Sequence, residues 1–432
     1  MNKKIVYMVM TTEVIHHVHI EIINKAAALG ELTIGVYSDK ALVKLNRTPF
    51  MRQEDRMAVY AGIKGVNRVV LQDEVEYEKN LRQIKPDYVV HGDNWKSSHL
   101  KLQHIRENVI QVLSEWNGGL IEYPYTQGVE IEKLYDNMSK QGFLPEIRRR
   151  KLNYLLQHKD IVRIMEAHNG ITGLIVERAQ AVVNDELRQF DGIWISSLCD
   201  STAKGKPDIE LVDHSSRLRT IQEILDVTSK PIILDGDSGG LIEHFVYNLA
   251  TIERNGVSAV IIEDKVGLKK NSLLGDAGQD QDSIEGFCNK IAAGKNVLLS
   301  QDFRIIARIE SLILKKGMDD ALTRAKEYIA AGADGIMIHS NQKTPDEIFA
   351  FCDKYSEFAK VPLVVVPSTY NTVTEDELKK RGVKVVIYAN HLIRSAFPAM
   401  KKTAETILAN ERAYEAESLC MPINEILTLI PS

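Results

Sequence analysis

The chain of 432 residues is longer than a typical single domain, so we expect two domains, one of them an α/β barrel of about 250 residues. Its 44% hydrophobic and 26% charged residues are typical of a globular protein, and no uncharged apolar stretch is long enough to cross a bilayer. A net charge of −5 gives no basic field for nucleic acid. We therefore expect neither a membrane nor a nucleic acid as a partner.

The amino terminus and the cysteines indicate the compartment. The opening segment "MNKKIVYMVMTTEV" has a short apolar run and no small-residue cleavage site, so it predicts a first β-strand rather than a signal peptide. The cysteines are far apart, which argues against a disulfide framework and against a structural zinc site. We expect a cytoplasmic protein.

Short β-branched runs alternate with helical patterns from about Lys4 to Tyr125. The predicted strands are "KIVYMVM", "LTIGVYS", "VNRVVLQ", "PDYVVHG" and "NVIQVL". Such alternation predicts a small doubly wound, Rossmann-like sheet. The polar stretch "DNMSKQGFLPEIRRRK" follows, so we place a first domain at 1–135, a linker at 136–150 and a second domain at 151–432.

The second domain is predicted to begin with a helix, "KLNYLLQHKDIVRIMEAHNG". Eight candidate strands follow: "GLIVE", "GIWISS", "PIILDGD", "AVIIEDK", "FRIIARIE", "GIMIHS", "PLVVVPS" and "VKVVIYAN". Most are separated by segments long enough for a crossover helix, so the pattern predicts a (β/α)8 barrel.

Polar residues gather at the carboxyl ends of these strands, which in such a barrel form one active-site face. They are Ser196, Ser197, Asp235, Asp237, Glu263, Asp264, Lys265, Arg308, Glu310, His339, Ser340 and Ser368. A single charged strand end is more often a capping or solvated group, but the repetition on at least six strands favours catalysis.

Three carboxylates within this set suggest a metal site. Asp235 and Asp237 are two apart on one strand, so their side chains should point the same way, and Glu263 ends the next strand. Oxygen donors without histidine or thiolate suit Mg2+ or Mn2+ held partly through water. With Arg308 and a loop lysine opposite the metal, the substrate is expected to be a small carboxylate or phosphate anion.

The segment Gly267–Gly278, "GLKKNSLLGDAG", has glycines at both ends and few apolar residues. This composition is typical of a lid that closes over a substrate and excludes water, and equally of an exposed structural loop.

Several of these segments resemble motifs of the phosphoenolpyruvate mutase family, within the isocitrate lyase superfamily. "EDKVGLKKNS" resembles E-D-K-x-x-x-K-x-N-S, "WISSLCDSTAKGKPD" resembles W-x-S-x-L followed by an aspartate, and "DGDSGG" resembles D-G-D-[ST]-G. "ARIES", "IHS" and "VPSTY" resemble the later strand ends, so the resemblance extends from about Arg150 to the carboxyl terminus.

The resemblance implies a role for each matching residue. Asp235 would bind Mg2+ directly, with Asp237 and Glu263 acting through coordinated waters. The pyruvate portion would be held by a group of residues comprising Arg308, the backbone of Ser196, Ser197 and Leu198, and the wall residue Trp194. The phosphoryl side would comprise Asp208, the lid residues Lys269 and Asn271, and the supporting residues His339 and Ser340. Ser197 departs from the glycine that the family often has there.

The implied reaction interconverts phosphoenolpyruvate and phosphonopyruvate by intramolecular phosphoryl transfer, the first step of phosphonate biosynthesis. Asp208 would either take the phosphoryl group covalently or steer it. Phosphonopyruvate hydrolase, in which water captures the phosphoryl group, is the nearest rival, and Asn271 favours the mutase. A carbon–carbon lyase is disfavoured, because such relatives carry K-K-C-G-H where this chain has Lys269 to Ser272. A scaffold with a silent barrel is the rival from another class.

The first domain resembles the cytidylyltransferases. "TEVIHHVHIEIINKA" matches their H-x-G-H motif at His16 and His19, with Val18 in place of the glycine and Glu13 in place of an aspartate. "YTQGVEIEKL" places Glu130 and Glu132 where hydroxyl residues should face a triphosphate, and carboxylates there would repel it. We therefore expect lost nucleotidyl transfer. The alternative is zinc binding by His16, His17 and His19.

The resemblance also implies partners. Barrels of this superfamily associate by exchanging their last helices, which predicts a homodimer or homotetramer. A phosphonopyruvate decarboxylase would act next in the pathway.

Overall fold

The computed structural model describes all residues except 1–2, 11–14, 46, 48, 50, 97–99, 125–143, 185, 268, 270, 273–277 and 431–432. The chain divides into two compact units. One comprises Met1–Met138 with Gln157–Lys159 and Val183–Glu186, and the other comprises Ser139–Leu156, Asp160–Val182 and Leu187–Ser432. The linker expected at 136–150 contains the start of the helix Pro145–His158, and proline is well suited to a first helical position.

The amino-terminal unit is a five-stranded parallel sheet of Rossmann-like order β3-β2-β1-β4-β5, as predicted. The strands are β1 (Ile5–Met10), β2 (Glu31–Tyr37), β3 (Val66–Gln72), β4 (Tyr88–Gly92) and β5 (Gly119–Tyr123). The helices of this unit are His17–Leu29, Asp39–Lys44, Gln53–Ala61, Glu78–Ile84 and Leu100–Ser114. Successive residues of β1 pack into two different hydrophobic clusters, so both faces of the sheet are covered.

The prediction of a strand at "NVIQVL" is wrong, because this segment lies within the helix Leu100–Ser114. Ile105, Val109 and Val112 are buried at intervals of three or four residues, which is the helical spacing. The fifth strand is instead the short run "GLIEY" of β5. A short apolar run with branched residues fits either element until its neighbours are considered.

The carboxy-terminal unit contains a closed barrel of eight parallel strands, which confirms the predicted (β/α)8 architecture. In barrel order the strands are β6 (Val162–Glu166), β9 (Gly192–Ile195), β10 (Ile232–Asp235), β11 (Ala259–Glu263), β14 (Arg304–Ile309), β15 (Gly335–Ile338), β16 (Leu363–Val365) and β17 (Val383–Tyr388). Two small antiparallel pairs lie outside the barrel: β7 (Gln180–Val183) with β8 (Glu186–Gln189), and β12 (Lys265–Val266) with β13 (Asp280–Gln281).

The first barrel strand is not the predicted one. "GLIVE" lies in the helix Gly170–Arg178, and the strand is β6, within the segment that was predicted to be entirely helical. Asn169 begins that helix with a capping box, since its side chain accepts from Thr172 N at 2.9 Å and Thr172 Oγ1 accepts from Asn169 N at 3.0 Å. The cap was readable in the sequence, but the branched residues after it masked it.

Alternation along the barrel strands separates the lumen from the helix layer. Ile164, Trp194, Ile233, Ile261 and Ile306 belong to one cluster that fills the lumen. Their strand neighbours belong to the larger cluster between the strands and the helices. The upper end of this packed lumen is where the polar strand ends meet.

The helices around the barrel enclose it in chain order. They are Pro145–His158, Gly170–Arg178, Ser197–Ala203, His214–Leu225, Ile242–Arg254, Ile284–Val297, Met318–Ala330, Asp346–Ser356, Glu375–Lys380, His391–Asn410 and Ile423–Thr428. Across the described part of the chain, no helix combines the length and the apolar character that a membrane span requires.

Asn169→Ala should lower the free energy of unfolding by about 1 kcal/mol, because the first turn of the helix loses its side-chain acceptor. Asn169→Asp should retain most of the stability, since aspartate caps helices equally well. Urea denaturation of both variants tests this. Equal losses in the two variants would show that the cap is not the cause.

Candidate active site

The carboxylates of Asp235 and Asp237 lie at the mouth of the barrel, but not as successive same-side residues of a strand. Strand β10 ends at Asp235, and Asp237 has a left-handed backbone with φ of 53°. The Asp237 amide donates to Asp235 Oδ1 at 3.2 Å, and Asp237 O accepts from Glu263 N at 2.8 Å. The predicted proximity is therefore produced by a turn, which the period of a strand could not reveal.

Gly236, between these two aspartates, has no room for a side chain. A Cβ there would lie 2.7 Å from Val260 Cγ2 and 3.0 Å from Ile261 O on the neighbouring strand. The glycine of the D-G-D motif thus lets β10 and β11 approach closely while the chain turns.

Lys269 is the cation shared by these carboxylates. Its ammonium group donates to Asp237 Oδ1 and to Ser197 Oγ, and it lies 4.0 Å from Asp235 Oδ2 and 3.4 Å from Asp208 Oδ1. Its side chain is only 3% exposed. Burial by itself would lower the pKa of Lys269, but the surrounding carboxylates, Asp235 foremost, raise it above its usual value, so the amine remains charged.

Asp235 is held ionised by the same arrangement. Burial opposes its charge, yet Lys269, Arg217 and Arg308 outweigh burial and hold the pKa of Asp235 below its usual range. Its Oδ2 accepts from both the amide and the hydroxyl of Ser197, at 3.1 and 2.8 Å. The serine that departs from the family's glycine therefore gives Asp235 an additional hydrogen-bond donor.

Asp208 receives two predicted partners at once. Asn271 Nδ2 donates to its Oδ2 at 2.9 Å, while Lys269 Nζ donates to its Oδ1 at 3.4 Å. Asp208 belongs to the connection between the helices Ser197–Ala203 and His214–Leu225. The site thus joins that connection to the segment after β12.

Arg308 organises the other side of the mouth. Its Nε donates to Glu310 Oε1 at 2.5 Å, and its Nη2 lies 2.8 Å from His339 Nδ1 and 3.3 Å from Glu263 Oε2. A guanidinium can only donate, so His339 Nδ1 accepts and the imidazole proton is on Nε2. Burial, together with the charge of Arg308, lowers the pKa of His339 and keeps the ring neutral.

Residues absent from the predicted site complete this side. Ser272 Oγ accepts from Lys265 Nζ at 2.6 Å and from Arg308 Nη2 at 2.9 Å, and it donates to Glu310 Oε2 at 2.7 Å. Lys265 and Glu310 were visible as polar strand ends, and Ser272 stands in the quoted signature. Arg217, which donates to Asp237 Oδ2 at 2.6 Å, comes from a helix and left no signal in the sequence.

The remaining predicted residues have other placements. Trp194 is 3% exposed within the lumen cluster, and Ser196 caps the helix that follows β9. Leu198 is half-buried in the first turn of that helix. The Ser340 hydroxyl donates to Glu347 Oε2 at 2.6 Å, so it is engaged by the following helix.

The donor set fits a divalent cation with few direct protein ligands. Both carboxylate oxygens of Glu263 are buried and have no hydrogen-bond partner among the described residues, and burial raises its pKa to about 7 against the effect of Arg308. The described residues include no group of three His, Cys, Asp or Glu side chains close enough to bind a metal ion together. The expected arrangement requires only Asp235 as a direct ligand, with coordinated waters reaching the others.

Residues 152–408 match the family model described as phosphoenolpyruvate phosphomutase. The chain belongs to the phosphoenolpyruvate phosphomutase family, a branch of the isocitrate lyase superfamily. The phosphoenolpyruvate phosphomutase of Tetrahymena pyriformis is 36% identical over 294 residues, covering 68% of this chain and 94% of that protein. The phosphonopyruvate hydrolase of Variovorax sp. (strain Pal2) is 37% identical over 267 residues, covering 61% and 88%.

Solved structures agree with this family assignment. A phosphoenolpyruvate phosphomutase from Streptomyces platensis subsp. rosaceus superposes with a TM-score of 0.61 at 34% identity, covering 65% of this chain and 94% of that one. A phosphonopyruvate hydrolase in complex with oxalate and Mg2+ gives a TM-score of 0.59 at 34% identity, with the same two coverages.

Residues 11–135 match the family model described as cytidylyltransferase-like, as expected from the histidine motif. His16 begins the helix His17–Leu29, and the rings of His16 and His19 lie 3.9 Å apart. The search for metal-binding groups among the described residues does not support the zinc alternative. Glu13, Glu130 and Glu132 lie outside the described residues.

Gly236→Ala should cost about 1–3 kcal/mol of stability, because the new methyl group must displace β11 or the turn that carries Asp237. Gly62→Ala is the matched control, since its Cβ would make only an ordinary contact at 3.5 Å with Val59 O. Chemical denaturation of both variants measures the difference. A Gly236→Ala protein as stable as the control would contradict the steric explanation.

Proposed function

We propose that this chain is a phosphoenolpyruvate mutase, which interconverts phosphoenolpyruvate and phosphonopyruvate by intramolecular phosphoryl transfer. The carrying observation is the convergence of Lys269 and Asn271 on the two carboxylate oxygens of Asp208, beside the paired carboxylates of Asp235 and Asp237. This arrangement offers positive charge and an amide where a phosphoryl group would be transferred.

The site's own residues divide the work between two ends of the substrate. Arg308 and the helix beginning at Ser197 would hold the pyruvate portion and stabilise the enolate that forms when the phosphoryl group departs. Lys269 and Asn271 would balance the charge of the loose, metaphosphate-like group, and Asp208 would accept or steer it. His339 Nε2 carries a proton that it could donate to a substrate oxygen.

A divalent cation fits this scheme as a resident cofactor. We infer Mg2+, with Mn2+ as a possible substitute, bound directly by Asp235 and through waters by Asp237 and Glu263. When bound, it would act as a Lewis acid that stabilises the negative charge of the enolate. The orphaned oxygens of Glu263 support this assignment, because a buried carboxylate without donors is costly unless another group satisfies it.

Phosphonopyruvate hydrolysis is the second candidate, supported by the similarity to a hydrolase that is as high as that to a mutase. The contacts of Asp208 favour the mutase. A water molecule activated by Asp208 would have to compete for oxygens that Lys269 and Asn271 already engage. Transfer within the substrate requires no such water.

The reaction is tested by 31P NMR of phosphonopyruvate incubated with the protein and Mg2+. We expect the phosphonate resonance to be replaced by that of phosphoenolpyruvate, without accumulation of inorganic phosphate. Release of phosphate and pyruvate would assign the hydrolase instead. An unchanged spectrum would favour a non-catalytic nucleotide- or partner-binding scaffold.

Asp208→Ala should reduce turnover by at least about 100-fold, because the group that directs the phosphoryl transfer is lost. Mg2+ binding, measured by isothermal titration calorimetry, should persist, since Asp208 is not among the inferred ligands. Asp226→Ala, at an exposed aspartate of the same connection and helix region, should retain normal turnover. Retained turnover in Asp208→Ala would make the aspartate structural.

We further infer a homo-oligomer, a dimer or tetramer, formed by exchange of the helix His391–Asn410. None of its residues is buried, and Phe397, Met400 and Leu408 are 71%, 68% and 78% exposed. Apolar side chains exposed to this extent along one helix favour burial against a second copy. A phosphonopyruvate decarboxylase would serve as the next enzyme, because removing the product drives P–C bond formation.

The amino-terminal unit, which we place at 1–135, is proposed to have lost nucleotidyl transfer and to bind, regulate or assemble, with the linker at 136–150 and the barrel at 151–432. Titration with CTP and Mg2+ should give no binding in the micromolar range and no release of pyrophosphate. Tight binding with pyrophosphate release would reverse this assignment.

A further inference from the structure

We propose that Arg217 is a positioning residue of the active site, which fixes the carboxylate of Asp237 between two cations. The inference deepens the proposed function, on which it rests. Arg217 lies on the helix His214–Leu225, so it is neither a strand end nor part of any family motif quoted above. Its side chain nevertheless reaches the carboxylates at the barrel mouth.

The two oxygens of Asp237 have different partners. Arg217 Nη1 donates to Oδ2 at 2.6 Å, and Lys269 Nζ donates to Oδ1. Arg217 is 9% exposed and Asp237 is 8% exposed. Rotation of the carboxylate would break at least one charge pair in a buried setting, and an unpaired buried charge is strongly unfavourable.

Asp237 requires such a restraint because its backbone is strained. A left-handed conformation costs a residue with a side chain of the order of 1–3 kcal/mol and persists only where the surroundings enforce it. Lys269 is a weaker anchor for this purpose, since its ammonium group is divided among Asp237, Ser197 and Asp208. Arg217 holds Asp237 from a helix, which is the more rigid support.

The other edge of the guanidinium faces a second acid. Arg217 Nε lies 3.9 Å from Asp200 Oδ2, and Asp200 Oδ1 accepts from Thr220 Oγ1 at 2.7 Å. Asp200 belongs to the helix whose first residue, Ser197, binds Asp235. Arg217 therefore connects the turn after β10 with the helix expected to hold the pyruvate portion.

The guanidinium itself depends on Asp237 for its orientation. Its Nε and Nη2 are buried without hydrogen-bond partners among the described residues, and so is Asp200 Oδ2. The short bond to Asp237 is thus the contact that fixes the fork, and the dependence of the two residues is mutual.

Arg217→Ala should lower kcat for conversion of phosphonopyruvate to phosphoenolpyruvate by about 10- to 100-fold, the loss typical of a small misplacement of reacting groups. KM should stay within about threefold, because Arg217 contacts none of the residues expected to bind the pyruvate portion. Millimolar guanidinium chloride should partly restore kcat in this variant, whereas sodium chloride at the same concentration should not. Arg219→Ala, at an exposed arginine of the same helix, should behave as wild type.

Two results would overturn the inference. One is an unchanged kcat in Arg217→Ala. The other is a lower kcat that guanidinium does not restore and that falls in proportion to the folded fraction, which would assign a purely structural role.

Failure of the proposed function remains distinguishable. If the wild-type protein converts no phosphonopyruvate, a double-mutant cycle of Arg217→Ala and Asp237→Asn, followed by thermal unfolding in EDTA, still tests the contact. Mutual positioning predicts that the two shifts in melting temperature are clearly non-additive. Additive shifts would sink the inference.

Discussion

The site depends on one constraint: several carboxylates are buried at the barrel mouth, and each must be paired with a cation. Lys269 answers most of this requirement, since its charged amine reaches Asp208, Asp235 and Asp237 together. Removing charges from water is costly, and only close, well-oriented partners offset that cost. The closed barrel supplies the orientation, because strand ends and following turns hold the acids within reach of one ammonium group.

A second charge network, around Arg308, is built differently. Glu310 neutralises the guanidinium, while His339 remains neutral and accepts a hydrogen bond from it. A protonated imidazole at that position would face Arg308 with like charge, which is why burial and the guanidinium act in the same direction on its pKa. The mouth therefore has an acid-rich half around Lys269 and a cation-led half around Arg308, which suits a substrate whose two ends are chemically distinct.

Sequence alone predicted the barrel and most of the site because parallel strands bring their carboxyl ends to one face, whatever the helices do. Seven of the eight strand segments quoted for the barrel are strands. The errors fell on short apolar runs, "GLIVE" and "NVIQVL", whose local pattern suits both element types until caps and spacing are weighed. Arg217 could not be predicted, since its reach depends on how a crossover helix packs, and the left-handed turn at Asp237 depends on close contact between β10 and β11.

The nearly equal similarity to a mutase and to a hydrolase shows that overall identity cannot assign the reaction within this family. The difference between the two reactions is the fate of one phosphoryl group, so few residues decide it, and they must lie where that group would be transferred. In this chain those residues are the two that contact Asp208, namely Lys269 and Asn271. The ammonium of Lys269 is fixed by its carboxylate neighbours in either reaction. The amide of Asn271 has no such obligation, so it is the side chain free to differ between enzymes that retain the phosphoryl group and enzymes that give it to water.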